Sequence, residues 1–186
     1  MDAPSRAPAT GIVGAAIREP RWFEDARGRF AETWRSEWWP GFDMSQLQGN
    51  RSDSRPGVLR GLHYHLLQFD YWQVVQGEIE VGLVDLRTDS DTFLRAEVLR
   101  LNAEEGWGLF IPPGVAHGFH SPRGAILTYL VNRYYTGTDE FSVLWNDPKL
   151  AVPWTCTDPI LSERDSQAPR WQDIPDSDRP MAKAIR

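Results

Sequence analysis

Residues 57 to 77 read GVLRGLHYHLLQFDYWQVVQG, and the fold turns on how this stretch is read. His63 and His65 stand one residue apart, so in an extended strand both side chains leave the same face. Asp70 follows at short range, and Gln76-Gly77 is expected to join two strands as a hairpin, with Gly77 closing the unit. Leu and Tyr flank the histidines. An imidazole in such surroundings needs a partner or a task, because a polar group buried alone costs free energy. A second stretch, GWGLFIPPGVAHGFH at 106–120, places His117 after a Pro-Pro-Gly turn.

Outward from these stretches the chain keeps an extended pattern. Ile79, Val81 and Leu83 alternate with Glu78, Glu80 and Gly82, the period of a half-buried strand. Further strands are expected at 12–17, 29–34, 46–51, 94–100, 107–111, 125–132 and 141–145, with Leu127, Tyr129 and Val131 on one face. Ser36 to Phe42, stopped by Pro40, reads as a short helical turn. Many short strands and almost no helical period argue an all-β sandwich or barrel with short peripheral helical turns. A chain of 186 residues supports one sizeable core, and no repeat or linker divides it. Residues 1–186 therefore read as one domain, with loose ends at 1–9 and 176–186.

Composition narrows the partners. The chain is 41% hydrophobic with nine Trp, and its net charge of -6 and pI near 5.2 argue against non-specific nucleic-acid binding. An anionic ligand must then be held by local arginines against the global field. Cys156 is the only cysteine, which excludes an internal disulfide. The sequence has no apolar run of membrane length and no charged-then-apolar start, so a cytoplasmic protein without a membrane partner is expected.

The two histidine stretches resemble the paired motifs of the cupin superfamily. The first runs Gly57, five residues, His63, one residue, His65, four residues, Asp70, six residues, Gly77. The second runs Gly106, five residues, Pro112, one residue, Gly114, two residues, His117. Ser121 stands where that superfamily often has Asn. The implied fold is a cupin-type jelly-roll β-barrel or sandwich. Further stretches are similar, in order and over most of the chain, to the dTDP-4-dehydrorhamnose 3,5-epimerase family of deoxysugar biosynthesis. They are DARGRFAE (25–32), QGNRS (48–52), GVLRGLHY (57–64), VDLRTDSDTF (84–93), IPPGVAHGF (111–119), Tyr129, Tyr135 ahead of Glu140, LWNDPKL (144–150) and LSERDSQAP (161–169).

This resemblance implies roles by position. His63 matches the general base, Asp165 the carboxylate that hydrogen-bonds it, and Tyr129 the acid on the opposite face of the sugar ring. Tyr135 matches the aromatic that stacks on thymine; Arg27, Glu32, Gln48, Asn50, Arg60, His117 and Glu140 match positions that hold nucleotide or sugar. It further implies a homodimer that shares N-terminal strands, and catalysis with no required cofactor. The chemistry suits these residue types: a C4 ketone acidifies the protons on C3 and C5, His is a common base near neutral pH, and inversion needs a donor across the ring.

One departure matters. The family carries Gln, one residue, then Lys in a longer loop, and this chain has Gln68, Phe69, Asp70. A carboxylate beside a developing enolate is unfavourable unless protonated or paired. His65, as an imidazolium paired with Asp70, is one replacement, and both residues then belong to the substrate site. A divalent transition metal is the other, because His63, His65, Asp70 and His117 make a three-His, one-carboxylate set. A ligating His63 cannot also be the free base, so the two readings compete. Without the resemblance, Tyr129, His63 and His117 read as core residues, Arg27 and Glu32 as a surface ion pair, and Asp165 as part of a polar tail. The alternatives to an epimerase are a metal-dependent cupin enzyme using the same pocket and a non-catalytic nucleotide-sugar binding protein.

Overall fold

The computed structural model describes residues 7–182, and these form short strands joined by turns. In chain order the strands are β1 (Ala16–Arg18), β2 (Phe23–Asp25), β3 (Gly28–Phe30), β4 (Gln48–Ser54), β5 (Val58–Tyr64), β6 (Asp70–Asp85), β7 (Ala96–Asn102), β8 (Gly108–Ile111), β9 (Val115–Ser121), β10 (Ala125–Val131) and β11 (Phe141–Ser142). Helix is confined to single turns, among them α1 (Glu163–Ser166) and a 3-10 turn at Ser36–Trp38. This is the all-β, jelly-roll arrangement that the motifs imply.

β6 organises the molecule. The expected hairpin at Gln76-Gly77 does not form; the strand runs on for 16 residues and bends there. Before the bend β6 pairs with β8 and β10; after it, with β7 and β9. Two antiparallel layers result: β1-β8-β6-β10-β4 and β7-β6-β9-β5-β11. The bend has a local cause. Gly77 sits at φ +79, and the pairing with β10 slips by one residue, Gln76 facing Ile126 and Val74 facing Leu127. A positive φ in a glycine and one unpaired residue on one strand make a β-bulge, which redirects a strand without reversing it.

The main core lies between the layers. Ile79, Val81 and Leu83 of β6 meet Leu109, Ile111, Phe119 and Leu127 there. The alternation read from the sequence puts those three inward, but the other face of β6 is covered too. Trp154 and Val152 cover Gly82, and the Thr155 hydroxyl donates to the Glu80 carboxylate at 2.6 Å, so Glu80 is buried rather than solvated. On the outer side of the second layer Leu62, Tyr64 and Val84 pack against Trp171 and Ile174. On the outer side of the first, Trp34, Trp39 and Phe42 cover Phe69, Tyr71 and Phe110. These aromatics build walls, which accounts for part of the tryptophan content.

Several sequence expectations move. The strand at 12–17 is β1 alone, and that at 29–34 shortens to β3. The sequence suggests no strand at 115–121, yet β9 forms there and every residue of it is buried. The C-terminal segment expected to be loose is docked as far as residue 182: Pro180 is buried, its carbonyl accepts from Thr88 at 3.0 Å, and the Tyr64 hydroxyl donates to the Asp178 carbonyl at 3.1 Å. Residues 1–6 and 183–186 of the expected loose ends lie outside the described residues.

Candidate active site

Between the two layers opens a cavity of about 980 Å³, at the upper end of the size usual for small-molecule sites. Of the sequence-predicted site residues it brings together Gln48, Asn50, Arg60, His63, His65, Asp70, His117, Tyr129, Tyr135, Glu140 and Asp165. Arg27 and Glu32 are elsewhere. Arg27 lies in the turn of the β2–β3 hairpin, a separate two-stranded sheet, and Glu32 just after it; Arg27 pairs with Asp25 at 2.5 Å and Glu32 with Arg35 at 2.8 Å. Both are therefore in surface ion pairs, but with these neighbours and not, as the alternative reading has them, with each other.

His63 reaches the cavity from β5, where that strand breaks register against β9. Gly61, two residues earlier, lies so close to β9 that a Cβ there would stand 2.7 Å from the Gly118 Cα and 2.8 Å from the His117 carbonyl oxygen. Only a glycine lets the two strands touch and set His63 opposite His117. His63 Nε2 is 2.7 Å from one oxygen of buried Asp165, whose other oxygen accepts from the Gly61 N–H at 3.2 Å. Burial alone would raise the Asp165 carboxyl, but the hydrogen bond and charge of His63 and the Gly61 N–H outweigh it and hold the group below its ordinary value. An ionised carboxylate only accepts, so Nε2 carries the proton and Nδ1 keeps the lone pair. The Asp165 turn is fixed by Ser162, whose hydroxyl oxygen caps α1 by accepting from the Asp165 N–H at 3.1 Å.

Tyr129 enters from β10, in the layer opposite to β5. Burial, then the charges of Asp70 and Glu140, push its phenol up, with Arg60 opposing, so the hydroxyl stays protonated and can donate. His63 and Tyr129 thus approach one cavity from its two walls. That is the arrangement proton removal and return on opposite faces of a ring requires.

His65, Asp70 and His117 form a buried cluster in the same cavity. Asp70 Oδ1 lies 3.8 Å from His65 Nε2, and Oδ2 lies 3.8 Å from His117 Nε2. Both distances are too long for hydrogen bonds. The His65 Nδ1–H donates to the Asp139 carbonyl, and the His117 Nδ1–H to the Val115 carbonyl at 2.9 Å. Carbonyls only accept, so both rings carry their proton on Nδ1. The Gln68 amide donates to Asp70 Oδ1 at 3.0 Å and to His65 Nε2 at 3.1 Å. The His65–Asp70 pairing expected from the sequence is thus not a direct hydrogen bond; the Gln68 amide bridges the two side chains. Burial lowers the His117 imidazole to about 4, with Asp70 opposing. The four-residue metal set does not assemble as read, because His63 is held by Asp165 and stands outside the cluster.

Around the mouth, Gln48 donates to Asn50 at 2.8 Å and accepts from the Tyr135 N–H, while Tyr135 is 69% exposed. Glu140 pairs with Arg164 at 2.9 Å, and Arg60 donates to the Ser54 hydroxyl. Sequence reasoning missed Asp139, whose carboxylate accepts the N–H groups of Leu66, Leu67 and Gln68 and so ties down the shortened loop. It also missed Trp72, which donates to Asp70 at 3.0 Å and sets its edge against His117. The indole two residues from the acid was the only local signal for Trp72; Asp139 had none.

Comparison with known proteins places this geometry. The family model described as dTDP-4-dehydrorhamnose 3,5-epimerase matches residues 9–173. A protein of that description from Pseudomonas aeruginosa is 36% identical over 180 residues, covering 90% of this chain and 97% of its own. Another, from Neisseria gonorrhoeae, is 36% identical over 168 residues, 87% of this chain and 51% of its own length. Among solved structures, a 3'-monoepimerase from Streptomyces bikiniensis in complex with dTDP-quinovose superposes with a TM-score of 0.85 at 33% identity, covering 95% of this chain and 93% of that one.

Proposed function

The chain belongs to the dTDP-4-dehydrorhamnose 3,5-epimerase family, and from that premise we propose that it epimerises a dTDP-4-keto-6-deoxyhexose at C3, C5 or both. The observation that carries the reading is the His63–Asp165 dyad facing Tyr129 across one cavity. His63 takes the proton from the carbon beside the C4 ketone through the lone pair on Nδ1. The electron pair of that C–H bond moves to the C4 oxygen and gives an enolate. Tyr129 returns a proton to the same carbon from the other wall, and the electron pair comes back to carbon. Asp165 holds the imidazole in one tautomer and stabilises the imidazolium between the two steps. Nothing is oxidised or reduced overall, so the proton transfers ask for no redox cofactor.

Binding follows the same logic. Among the described residues Arg60 and Arg133 line the cavity and stand in no ion pair, which fits them to the diphosphate of a chain whose net charge is -6. Tyr135, exposed at the rim, offers a face for the thymine base; Gln48, Asn50 and Glu140 line the same cavity and suit sugar and ribose hydroxyls. The working unit is a homodimer, in which Arg27 and Glu32 reach the partner's cavity; the exposed cross-strand pair Phe23 and Phe30 supports this reading. No helix among the described residues is long and apolar enough to cross a membrane, and free Cys156 fits work in the cytoplasm.

Kinetics test the assignment. His63→Ala and Tyr129→Phe should each lower turnover of dTDP-4-keto-6-deoxyglucose by about 100-fold or more. Wild-type turnover in either variant contradicts it.

A further inference from the structure

The cluster of His65, Asp70 and His117 has a chemical peculiarity. Its three facing atoms are all acceptors: a lone pair on each Nε2 and a carboxylate between them. Both ring protons are committed to backbone carbonyls on the far side. Among the described residues no donor reaches His117 Nε2. Acceptors gathered in a buried place repel one another until something positive enters.

We propose that these three side chains form a binding site for a divalent transition-metal ion, with His63 outside its coordination shell. Two imidazoles and one carboxylate suit Zn, Mn, Fe or Co. Ligand atoms bound to one ion at about 2.0–2.1 Å stand about 3.4 Å apart in a tetrahedron and about 2.9 Å apart at neighbouring corners of an octahedron. His65 Nε2 lies 3.8 Å from Asp70 Oδ1 and His117 Nε2 lies 3.8 Å from Oδ2, and one ligand atom from each of the three residues lies within 4.8 Å of the others, so an ion would draw these side chains inward by a small step. The supporting contacts are already those of a metal site. The Asp139 and Val115 carbonyls fix which nitrogen of each histidine is free, and the Trp72 indole N–H orients the carboxylate. The Gln68 amide, which now donates to two of the acceptors, has to turn away.

The same geometry removes the competition for His63. Its Nε2 is bound to Asp165, on a separate arm of the cavity lining, so one histidine can remain a base while the other two hold an ion. A divalent cation there supplies positive charge to the part of the cavity where Asp70 puts a carboxylate. The site stands on its own residues whether or not the epimerase reading holds.

The test is titration of the chelator-treated full chain with Co²⁺ in the absence of sugar nucleotide, read by calorimetry and by visible absorption. The account predicts one equivalent bound with the spectrum of mixed nitrogen and oxygen ligands. His117→Ala and His65→Ala should weaken binding by more than about 100-fold, beyond the loss typical of an outer-shell change, whereas His63→Ala should keep full stoichiometry. Gln68→Ala, which removes the competing amide and no ligand, should bind at least as tightly; it keeps the test open should a histidine variant fail to fold. No saturable binding by the wild type overturns the site. Equal loss in His63→Ala and His117→Ala overturns the ligand assignment.

Discussion

At the scale of single residues, Asp165 is the one whose replacement separates chemistry from binding. It contacts His63 and the Gly61 N–H. Asp165→Asn keeps the shape, but an amide can donate to Nε2 and favour the wrong tautomer. The expected result is a fall in kcat of about 100- to 10,000-fold with little change in KM. The same substitution has a pH signature. The folded Asp165 carboxyl lies below its ordinary value of 3.8, so its stabilisation is present above that pH and is lost as pH falls through the folded value. Asp165→Asn should therefore melt below the wild type at neutral pH, and the gap should close in acid. A gap that stays constant into acid contradicts the ionised dyad. His63 was legible because its spacing to His65 and Gly57 is a local pattern. Asp165 was legible only through the resemblance, since its partner lies 102 residues away. Asp139 was not legible at all: one carboxylate gathers three N–H groups more than 70 residues distant, and no local pattern records such a contact.

At the scale of elements, the long strand β6 and its bend decide where the cavity lies. Gly77 combines φ +79 with a close approach, because a Cβ there would sit 2.5 Å from the Gly124 carbonyl oxygen. Backbone cannot yield as a flexible side chain can. Gly77→Ala is expected to cost about 1–3 kcal/mol, read as a lower urea midpoint with an unchanged slope. Wild-type stability in that variant contradicts the bulge as the pivot. The sequence marked this place correctly as a break but made it a hairpin. A glycine between two alternating runs fits either outcome. The choice was made by β8 and β10 pairing with the first half and β7 and β9 with the second, all from distant sequence. β9 escaped notice for a related reason: both its faces are covered, so its glycine, alanine and histidines show no alternation.

At the scale of the whole molecule, two layers that share β6 hold a cavity whose walls face each other with different chemistry. β5 brings His63, β10 Tyr129, and the cluster of two histidines and Asp70 comes from β6, β9 and the residue after β5. The all-β class and most of the cavity residues could be read from composition, spacing and family resemblance. Arg27 and Glu32 could not be placed, because within one chain both lie apart from the cavity. The central claim is that this cavity moves protons on the carbons beside a C4 ketone. The measurement that tests it most directly is proton NMR in D₂O of the enzyme with dTDP-4-keto-6-deoxyglucose. The account predicts deuterium entering at C3, C5 or both, with incorporation abolished in His63→Ala. A substrate that keeps both protons with the wild-type enzyme, in the presence and in the absence of added Co²⁺, would contradict it.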